Sequence, residues 1–359
     1  MRALFDIASA SGSHPVSLAD GDVRSVVEAC DGTIVIADAF FRDQLADLSR
    51  PVLWIEASEE AKEFTAVGPL IERCRQLGLA RDGHIVAVGG GVVQDISGFI
   101  ATVYMRGVGW SFLPTTLLAM VDSCIGGKSS INVGAFKNLV GSFHPPGAIM
   151  VPVEALATLP VEHVAAGRCE AAKICFARSD EMFDRYRALA TGDAAEMIAL
   201  SLAAKKYFVE TDEFDQNERL LLNFGHSFGH ALESCTDYRV IHGVAVGVGC
   251  LSAVALSAAQ AQAPAVAVAK RVRELVDDLT ATLAPVDGLD AALGKIERDA
   301  FFHFWQSDKK HQPAAYRPIL VDPNGFLYRA TLARDAASDE AIWGGFVAAR
   351  DQVAERAFS

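Results

Sequence analysis

No Cys-x-x-Cys pair occurs in this chain: Cys30, Cys74, Cys124, Cys169, Cys175, Cys235 and Cys250 are scattered. That excludes a thiolate zinc knuckle and offers no paired spacing for a disulfide framework. Isolated thiols suit a reducing compartment. An excess of positive charge is missing as well. With 45 acidic residues against 32 Lys and Arg, the formal net charge is −13, so neither nucleic acid nor an anionic membrane is expected as a partner. The segment Met1-Arg-Ala-Leu-Phe-Asp6 lacks the apolar stretch of a secretory signal, and a cytoplasmic protein is expected. H-E-x-x-H is absent, which disfavours a zinc peptidase. There is no internal repeat and no low-complexity tract. From Val244 to Ala269 charge is lacking too, but the run is rich in Ala, Gly and Ser and is interrupted by Pro264. Alanine contributes little transfer energy, so a buried helix is expected there rather than a membrane span.

What is present is a chain of 359 residues, 51% of them hydrophobic, which is enough for two domains and a large core. Thr33-Ile-Val-Ile-Ala37 and Pro51-Val-Leu-Trp-Ile55 read as short strands ending at Asp38 and Glu56. Ala57 to Leu77 has helical spacing, with Phe64, Val67, Leu70, Ile71 and Cys74 on one side and Gly78 as a stop. His84-Ile-Val-Ala-Val88 is a third strand, followed by Gly89-Gly90-Gly91 and a helical segment from Val92 to Met105. Strands alternating with helices predict an α/β domain with a mainly parallel sheet. From about Val161 the pattern becomes mostly helical. Pro152 and Pro160 bracket the predicted linker, giving domains at 1–158 and 159–359.

Three groups of residues carry chemistry. The strand–Gly89-Gly90-Gly91–helix unit suits a phosphate, because glycines admit close backbone approach and a helix N-terminus presents free N–H groups. Alone, it is also an ordinary tight turn, and it lacks the G-x-G-x-x-G spacing. Asp95 follows near the first turn, where a carboxylate offsets the helix dipole. Gly126-Gly127-Lys128 resembles the end of a phosphate loop, but Asp122 stands where that loop needs its first glycine, so a P-loop NTPase is rejected. Glu170, His226 and His242 have the chemistry of an open His₂Glu catalytic zinc site. His226 and His230 stand at i and i+4, on one helix face. Lys128, Lys137, Lys173, Lys205, Arg219, Lys309 and Lys310 gather near these motifs. In an acidic protein they either build a positive pocket for an anionic substrate or are ordinary surface cations.

Taken together, the segments Gly89-Gly-Gly-Val-Val-Gln-Asp95, Tyr104-Met-Arg106-Gly, Pro114-Thr-Thr-Leu-Leu-Ala, Val121-Asp-Ser-Cys-Ile-Gly-Gly-Lys128, Lys137-Asn138, Glu170-Ala-Ala-Lys173, Arg219-x₃-Asn223-Phe-Gly-His226-x₃-His230, His242-Gly243 and Asp308-Lys-Lys310 resemble the dehydroquinate synthase family of NAD-dependent sugar phosphate cyclases. The resemblance runs from about Asp38 to Lys310. It implies a Rossmann-like N-terminal domain and a mostly α-helical C-terminal domain. It further implies zinc (or cobalt) on Glu170, His226 and His242. NAD contacts are implied at Asp38, Glu59, Lys62, Gly89, Gly90, Gly91, Asp95, Thr115, Thr116 and Lys137. The implied substrate pocket comprises Asp122, Lys128, Asn138, Lys173, Lys205, Arg219, Asn223, His230 and one of Lys309 and Lys310. Arg106 matches an arginine that reaches the neighbouring subunit's substrate, which implies a homodimer.

The reaction implied is oxidation, phosphate elimination, reduction and ring closure on one bound small-molecule sugar phosphate, with NAD regenerated in each turnover. The expected activity is that of a 3-dehydroquinate synthase, a phosphate-eliminating lyase of aromatic amino acid biosynthesis. The sequence also departs from the family's usual pattern. Val244 follows His242-Gly243 where Glu is usual, Cys124 stands for Ser, Ser129-Ser130 for Thr-Gly, and His311 to Arg317 differ. These changes leave open a paralogous cyclase that makes another cyclitol. More distant alternatives are a metal-dependent alcohol dehydrogenase and a non-catalytic NAD-binding regulator.

Overall fold

The structure, a computed structural model, describes residues 1–134, 136–189, 192–260, 269–308 and 310–357. Chain contacts divide it into two compact units, residues 1–159 with 194–214, and residues 160–193 with 215–359.

The first unit is built on a seven-stranded sheet. In chain order the elements are β1 (Arg2–Ser9), β2 (Gly12–Ala19), α1 (Val23–Ala29), β3 (Ile34–Asp38), β4 (Val52–Ile55), α2 (Phe64–Gln76), β5 (His84–Gly89), α3 (Gly91–Val103), β6 (Gly109–Pro114), the ribbon β7 (Lys128–Val133) and β8 (Phe136–Phe143), and β9 (Ala148–Pro152). The sheet order is β1-β2-β9-β6-β5-β3-β4. Only β1 and β2 pair antiparallel; every other neighbour pair is parallel. The central strands lack polar alternation because both of their faces are covered. Val35, Ala37, Val86 and Val88 pack on one side with Val23, Val26 and Val27 of α1. The alternate residues Ile34, Ile36, Ile85 and Ala87 are equally buried on the other. From β3 the chain moves outward to β4, then returns to the opposite side of β3 for β5. The crevice beyond the carboxyl ends of β3 and β5 is therefore the topological switch point, where ligands of open parallel sheets bind.

Two local expectations are corrected. The segment 57–77 is not one helix: Glu59–Lys62 forms a separate 3₁₀ turn and α2 begins at Phe64. Phe64 is 51% exposed, while Val67 and Cys74 of the expected face are buried. The physical reason is Lys62, whose buried ammonium is drawn to Asp95 on α3 at 2.7 Å and takes the 59–62 turn with it. The next helix also stops earlier than expected, at Val103, because Met105 and Arg106 take positive φ.

The second unit is predominantly helical: α4 (Val161–Arg178), α5 (Asp180–Leu189), α7 (His226–Cys235), α8 (His242–Gln260), α9 (Lys270–Leu283), α10 (Leu289–Gly294), α11 (Arg298–Ser307) and α12 (Ala336–Ala357). The intervening helix α6 (Ala194–Thr211) belongs to the first unit, where it packs on the π-helical turn Ala119–Ser123. The second unit also holds two small ribbons that the helical pattern did not predict, Ala315–Tyr316 with Leu332–Ala333 and Ile319–Val321 with Leu327–Arg329. Helix α8 is the hub, packed by α4, α7, α9 and α12. It is long and apolar enough to cross a membrane, yet 72% of it is buried inside the protein, as expected of a core helix. Pro264 lies outside the described residues. Small residues let the backbones approach: a Cβ on Gly243 would sit 2.3 Å from Ala166 O.

Candidate active site

In the second unit three helices deliver a ligand set. Glu170 projects from α4, His226 is the first residue of α7, and His242 is the first residue of α8. Gly225, at φ +78°, turns the chain into α7, and a Cβ there would lie 2.6 Å from Cys250 Sγ, so the Phe-Gly-His sequence is a steric requirement. Glu170 is fully buried. Its Oε1 lies 3.8 Å from His242 Nε2 and 4.0 Å from His226 Nε2, and neither carboxylate oxygen has a hydrogen-bond partner among the described residues. Lys173, one turn along α4 and itself buried, forms an ion pair with Oε2.

Both imidazoles are oriented by their other nitrogen. His226 Nδ1 donates to Phe224 O at 3.3 Å and His242 Nδ1 donates to Glu233 Oε2 at 3.0 Å. Each ring thus presents an Nε2 lone pair toward Glu170. One ligand atom from each residue lies within 4.8 Å of the others, while ligands about 2 Å from a shared zinc stand roughly 3–4 Å apart. Burial, then the charge of Lys173, hold His226 well below its ordinary pKa, in the neutral form a metal needs. For His242 burial acts the same way, but Glu233 and Glu170 together outweigh it and raise the ring. An orphaned buried carboxylate oxygen facing two lone pairs fits a divalent cation.

His230, one turn along α7, is joined to the loop after α11. Its Nδ1 lies 3.2 Å from Lys310 Nζ and 3.5 Å from Asp308 Oδ2. Burial would raise the Asp308 carboxyl, but the hydrogen bond with His230 and the charge of Lys310 hold it far below the carboxylate range. Lys309 lies outside the described residues. Arg219 is buried on the 3₁₀ turn Glu218–Asn223, where Asn223 Nδ2 donates to Leu220 O. Beyond Lys310, His311 packs between Trp305 and Tyr316, with ring centroids 5.1 Å from each, and accepts the Arg317 N–H on Nδ1. Burial pulls its pKa down to about 4.

In the first unit, Asp38 at the end of β3 and Gly89-Gly90-Gly91 at the end of β5 flank the switch-point crevice. Asp38 accepts the Phe40 N–H at 3.0 Å. Thr115 N–H bonds Gly89 O, and Thr116 packs on Gly90, where a Cβ would approach its Cγ2 to 2.8 Å. A Cβ on Gly91 would meet nothing within 4 Å, so the N-terminus of α3 opens onto free space. Asp95 is not a bare first-turn carboxylate. It binds Lys62 Nζ, Ser130 N at 3.1 Å and Ser130 Oγ at 3.0 Å. Lys62 also donates to Asn138 Oδ1 at 2.9 Å, which places Asn138 in this cluster. Glu59 sits 3.4 Å from Lys137 Nζ and accepts Asn132 Nδ2 at 2.8 Å. Burial would lower the Lys62 pKa, but Asp95 and Glu59 hold it above its ordinary value.

The π-helical turn places Asp122 against Lys205 of α6, with Nζ–Oδ1 at 2.7 Å and Nζ–O at 2.6 Å. Lys128 lies over the Phe143 ring. Arg106 is exposed at φ +72°, between Met105 at φ +48° and Gly107 at φ +119°. Asp308 lies within a motif of the resemblance and Glu233 three residues beyond one, and neither had an assigned role. The available signal was Glu233 at i+3 from His230, on the same face of α7.

The family model for the 3-dehydroquinate synthase N-terminal region matches residues 52–166, and that for the C-terminal region matches residues 167–311. A 3-dehydroquinate synthase of Corynebacterium jeikeium is 33% identical over 325 residues, 86% of each chain. Among solved structures, 2-deoxy-scyllo-inosose synthase complexed with carbaglucose-6-phosphate, NAD⁺ and Co²⁺ has a TM-score of 0.79 at 24% identity, covering 94% of this chain and 98% of that one. A 2-epi-5-epi-valiolone synthase of Streptomyces hygroscopicus with NAD⁺ and Zn²⁺ bound has a TM-score of 0.77 at 22% identity, covering 97% and 99%. The solved structures share the fold, and the sequence matches span both of its halves: the chain belongs to the 3-dehydroquinate synthase family.

Proposed function

We propose that this chain is a 3-dehydroquinate synthase, converting 3-deoxy-arabino-heptulosonate 7-phosphate to 3-dehydroquinate and phosphate. The observation that carries the reading is the convergence of Glu170, His226 and His242 around an orphaned carboxylate oxygen, in a chain whose relatives bear that activity. In this reading residues 1–158 bind NAD and residues 159–359 bind metal and substrate. When bound, NAD⁺ takes up and returns a hydride at an alcohol carbon, and a zinc or cobalt ion acts there as a Lewis acid.

The chain's own residues do the positioning. Glu170, His226 and His242 hold the metal, and the open N-terminus of α3 at Gly91 holds the dinucleotide phosphates. Lys128, Arg219 and Asn223, with Arg106 from the neighbouring subunit, hold the sugar phosphate and stabilise it as it leaves. Lys310 Nζ and Asp308 hold His230 at Nδ1, leaving Nε2 to exchange a proton with the ligand. The location that goes with this reading is the cytoplasm. Incubation with the heptulosonate phosphate, NAD⁺ and zinc should release phosphate with no net NADH. NADH formed in step with substrate consumed would mean an alcohol dehydrogenase instead.

Two further expectations follow from this placement. Gly91→Ala should leave thermal stability unchanged, since its Cβ meets nothing, yet weaken NAD⁺ binding by about tenfold, or about 1.4 kcal/mol. Calorimetric titration of NAD⁺ checks it, and unchanged affinity removes Gly91 from the cofactor site. Arg106 is placed as a residue acting across a homodimer: it is exposed at the tip of a strained turn, and a phosphate dianion takes more than one cation. Heterodimers of Arg106→Ala and Lys173→Ala subunits should regain activity that neither homodimer has, because one site is then intact. Verified heterodimers without rescue would exclude sharing.

A further inference from the structure

We propose that Glu233 is the positioning residue of the metal site, fixing the tautomer and ring orientation of His242 through its Nδ1–H. The inference rests on the reading of Glu170, His226 and His242 as the ligand set. Of the two histidines, His226 is fixed by a backbone carbonyl two residues away, which is set by the chain path itself. His242 has no such anchor. It opens α8, and its side chain is 37% exposed, so its ring depends on a side-chain partner.

That partner is Glu233 Oε2 at 3.0 Å from Nδ1, on a carboxylate whose side chain is only 11% exposed. Glu233 lies in the last turn of α7, the helix that opens with His226. One short helix therefore carries a ligand at its start and the other ligand's anchor near its end. A carboxylate accepting from the distal nitrogen leaves the Nε2 lone pair aimed at Glu170 and makes it a stronger donor. Val244, where the family usually has Glu, cannot supply such a contact. Its side chain is buried, beside a cavity of about 210 Å³ lined by Val240, Ile241 and Val286 together with Glu162, Arg239 and Lys295. With an apolar residue at 244, Glu233 carries this contact.

A rival arrangement is contained in the same atoms. His230, Glu233 and His242 also come within ligand range of one another, so Glu233 could instead bind a second ion. The geometry favours the anchor, because His242 has one Nε2, already directed at Glu170, and its Nδ1 contact with Glu233 is of hydrogen-bond length.

The test measures zinc affinity by chelator competition, metal stoichiometry, and the visible spectrum of the Co²⁺-substituted protein. It compares wild type, Glu233→Gln, Glu233→Ala and His226→Ala, with thermal unfolding of each metal-free form as the fold control. Wild type should bind one ion and His226→Ala none. Glu233→Ala should bind roughly 10–100-fold more weakly, with a shifted Co²⁺ spectrum. Glu233→Gln should fall in between, since its amide oxygen still accepts from Nδ1 but carries no charge. If Glu233→Ala fails to fold, the near-isosteric Gln variant decides alone. Wild-type affinity and spectrum in the Glu233 variants would overturn the proposal while leaving the ligand set standing. A second ion lost only in those variants would overturn it in favour of the rival. A wild type without metal, or a His226→Ala protein that retains it, would remove the ligand set itself and the proposal with it.

Discussion

His226→Ala should abolish metal retention and turnover together, lowering kcat by at least about a thousandfold, or about 4 kcal/mol. The site explains the size of the effect. Glu170 is fully buried, its Oε1 has no hydrogen-bond partner among the described residues, and its Oε2 is paired with the Lys173 ammonium. Removing one imidazole leaves a carboxylate and a single nitrogen, too few ligands to hold zinc against water. A readout independent of activity is available. Metal that binds only the folded protein stabilises it by RT ln(1 + [L]/Kd), about 2.7 kcal/mol at a hundredfold excess over Kd. Zinc should therefore raise the wild-type Tm and leave that of the variant unchanged. Stoichiometric zinc in purified His226→Ala, or an undiminished Tm response, would rule out the assignment. Loss of activity with metal intact would make His226 a group that acts on substrate rather than a ligand.

The parallel sheet was legible because its central strands announce themselves. Ile34 to Ala37 and Ile85 to Val88 are β-branched or apolar runs without alternation, the second followed by helical spacing. The edge hairpin of β1 and β2 was not. Its residues Arg2 to Ser9 and Gly12 to Ala19 mix polar and apolar positions, and on the outermost strand Ile7 is the one buried residue, so little burial pattern is written into them. The membership of α6 in the first unit was equally hidden. It is decided by where Lys205 finds Asp122 and where Ser201 Oγ finds Val121 O, contacts about eighty residues apart in sequence that no local window contains. In the site, ligand types were readable as chemistry, since one carboxylate and two histidines suit zinc. The orientation of those ligands was not readable. Whether His242 turns Nδ1 or Nε2 toward Glu170 depends on Glu233, and whether His230 faces Asp308 depends on the loop after α11. Ring rotation leaves no periodicity in a sequence.

The substrate is the remaining step, and the expected result is a kcat/KM for the heptulosonate phosphate roughly 10–150-fold above that for sedoheptulose 7-phosphate. The margin is what one charge-assisted contact to a carboxylate is worth, about 1.5–3 kcal/mol. Sedoheptulose 7-phosphate lacks that carboxylate, and a cation placed to receive it would then lose a partner on closing the site, which penalises the wrong substrate. Lys205 and Lys310 are the candidates for the contact, and each is held in place by an acid already present. Asp122 is 2.7 Å from Lys205, and Asp308 is 3.3 Å from Lys310. Such pairing keeps a lysine ordered without ligand, and an incoming carboxylate gains a fixed donor. It also shares the charge, which argues for the lower half of the range. The variants separate the two lysines. The one that makes the contact, changed to Met, should bring the two substrates toward equal kcat/KM, while the other should lower both in proportion. The counter-argument comes from Val244 and the His311–Arg317 segment, where this chain leaves the family pattern and where His311 is locked between Trp305 and Tyr316 next to Lys310. If that packing has reshaped the pocket, sedoheptulose 7-phosphate or another sugar phosphate without a carboxylate will be cyclised more efficiently. The chain is then a paralogous cyclase with the same metal, cofactor and fold.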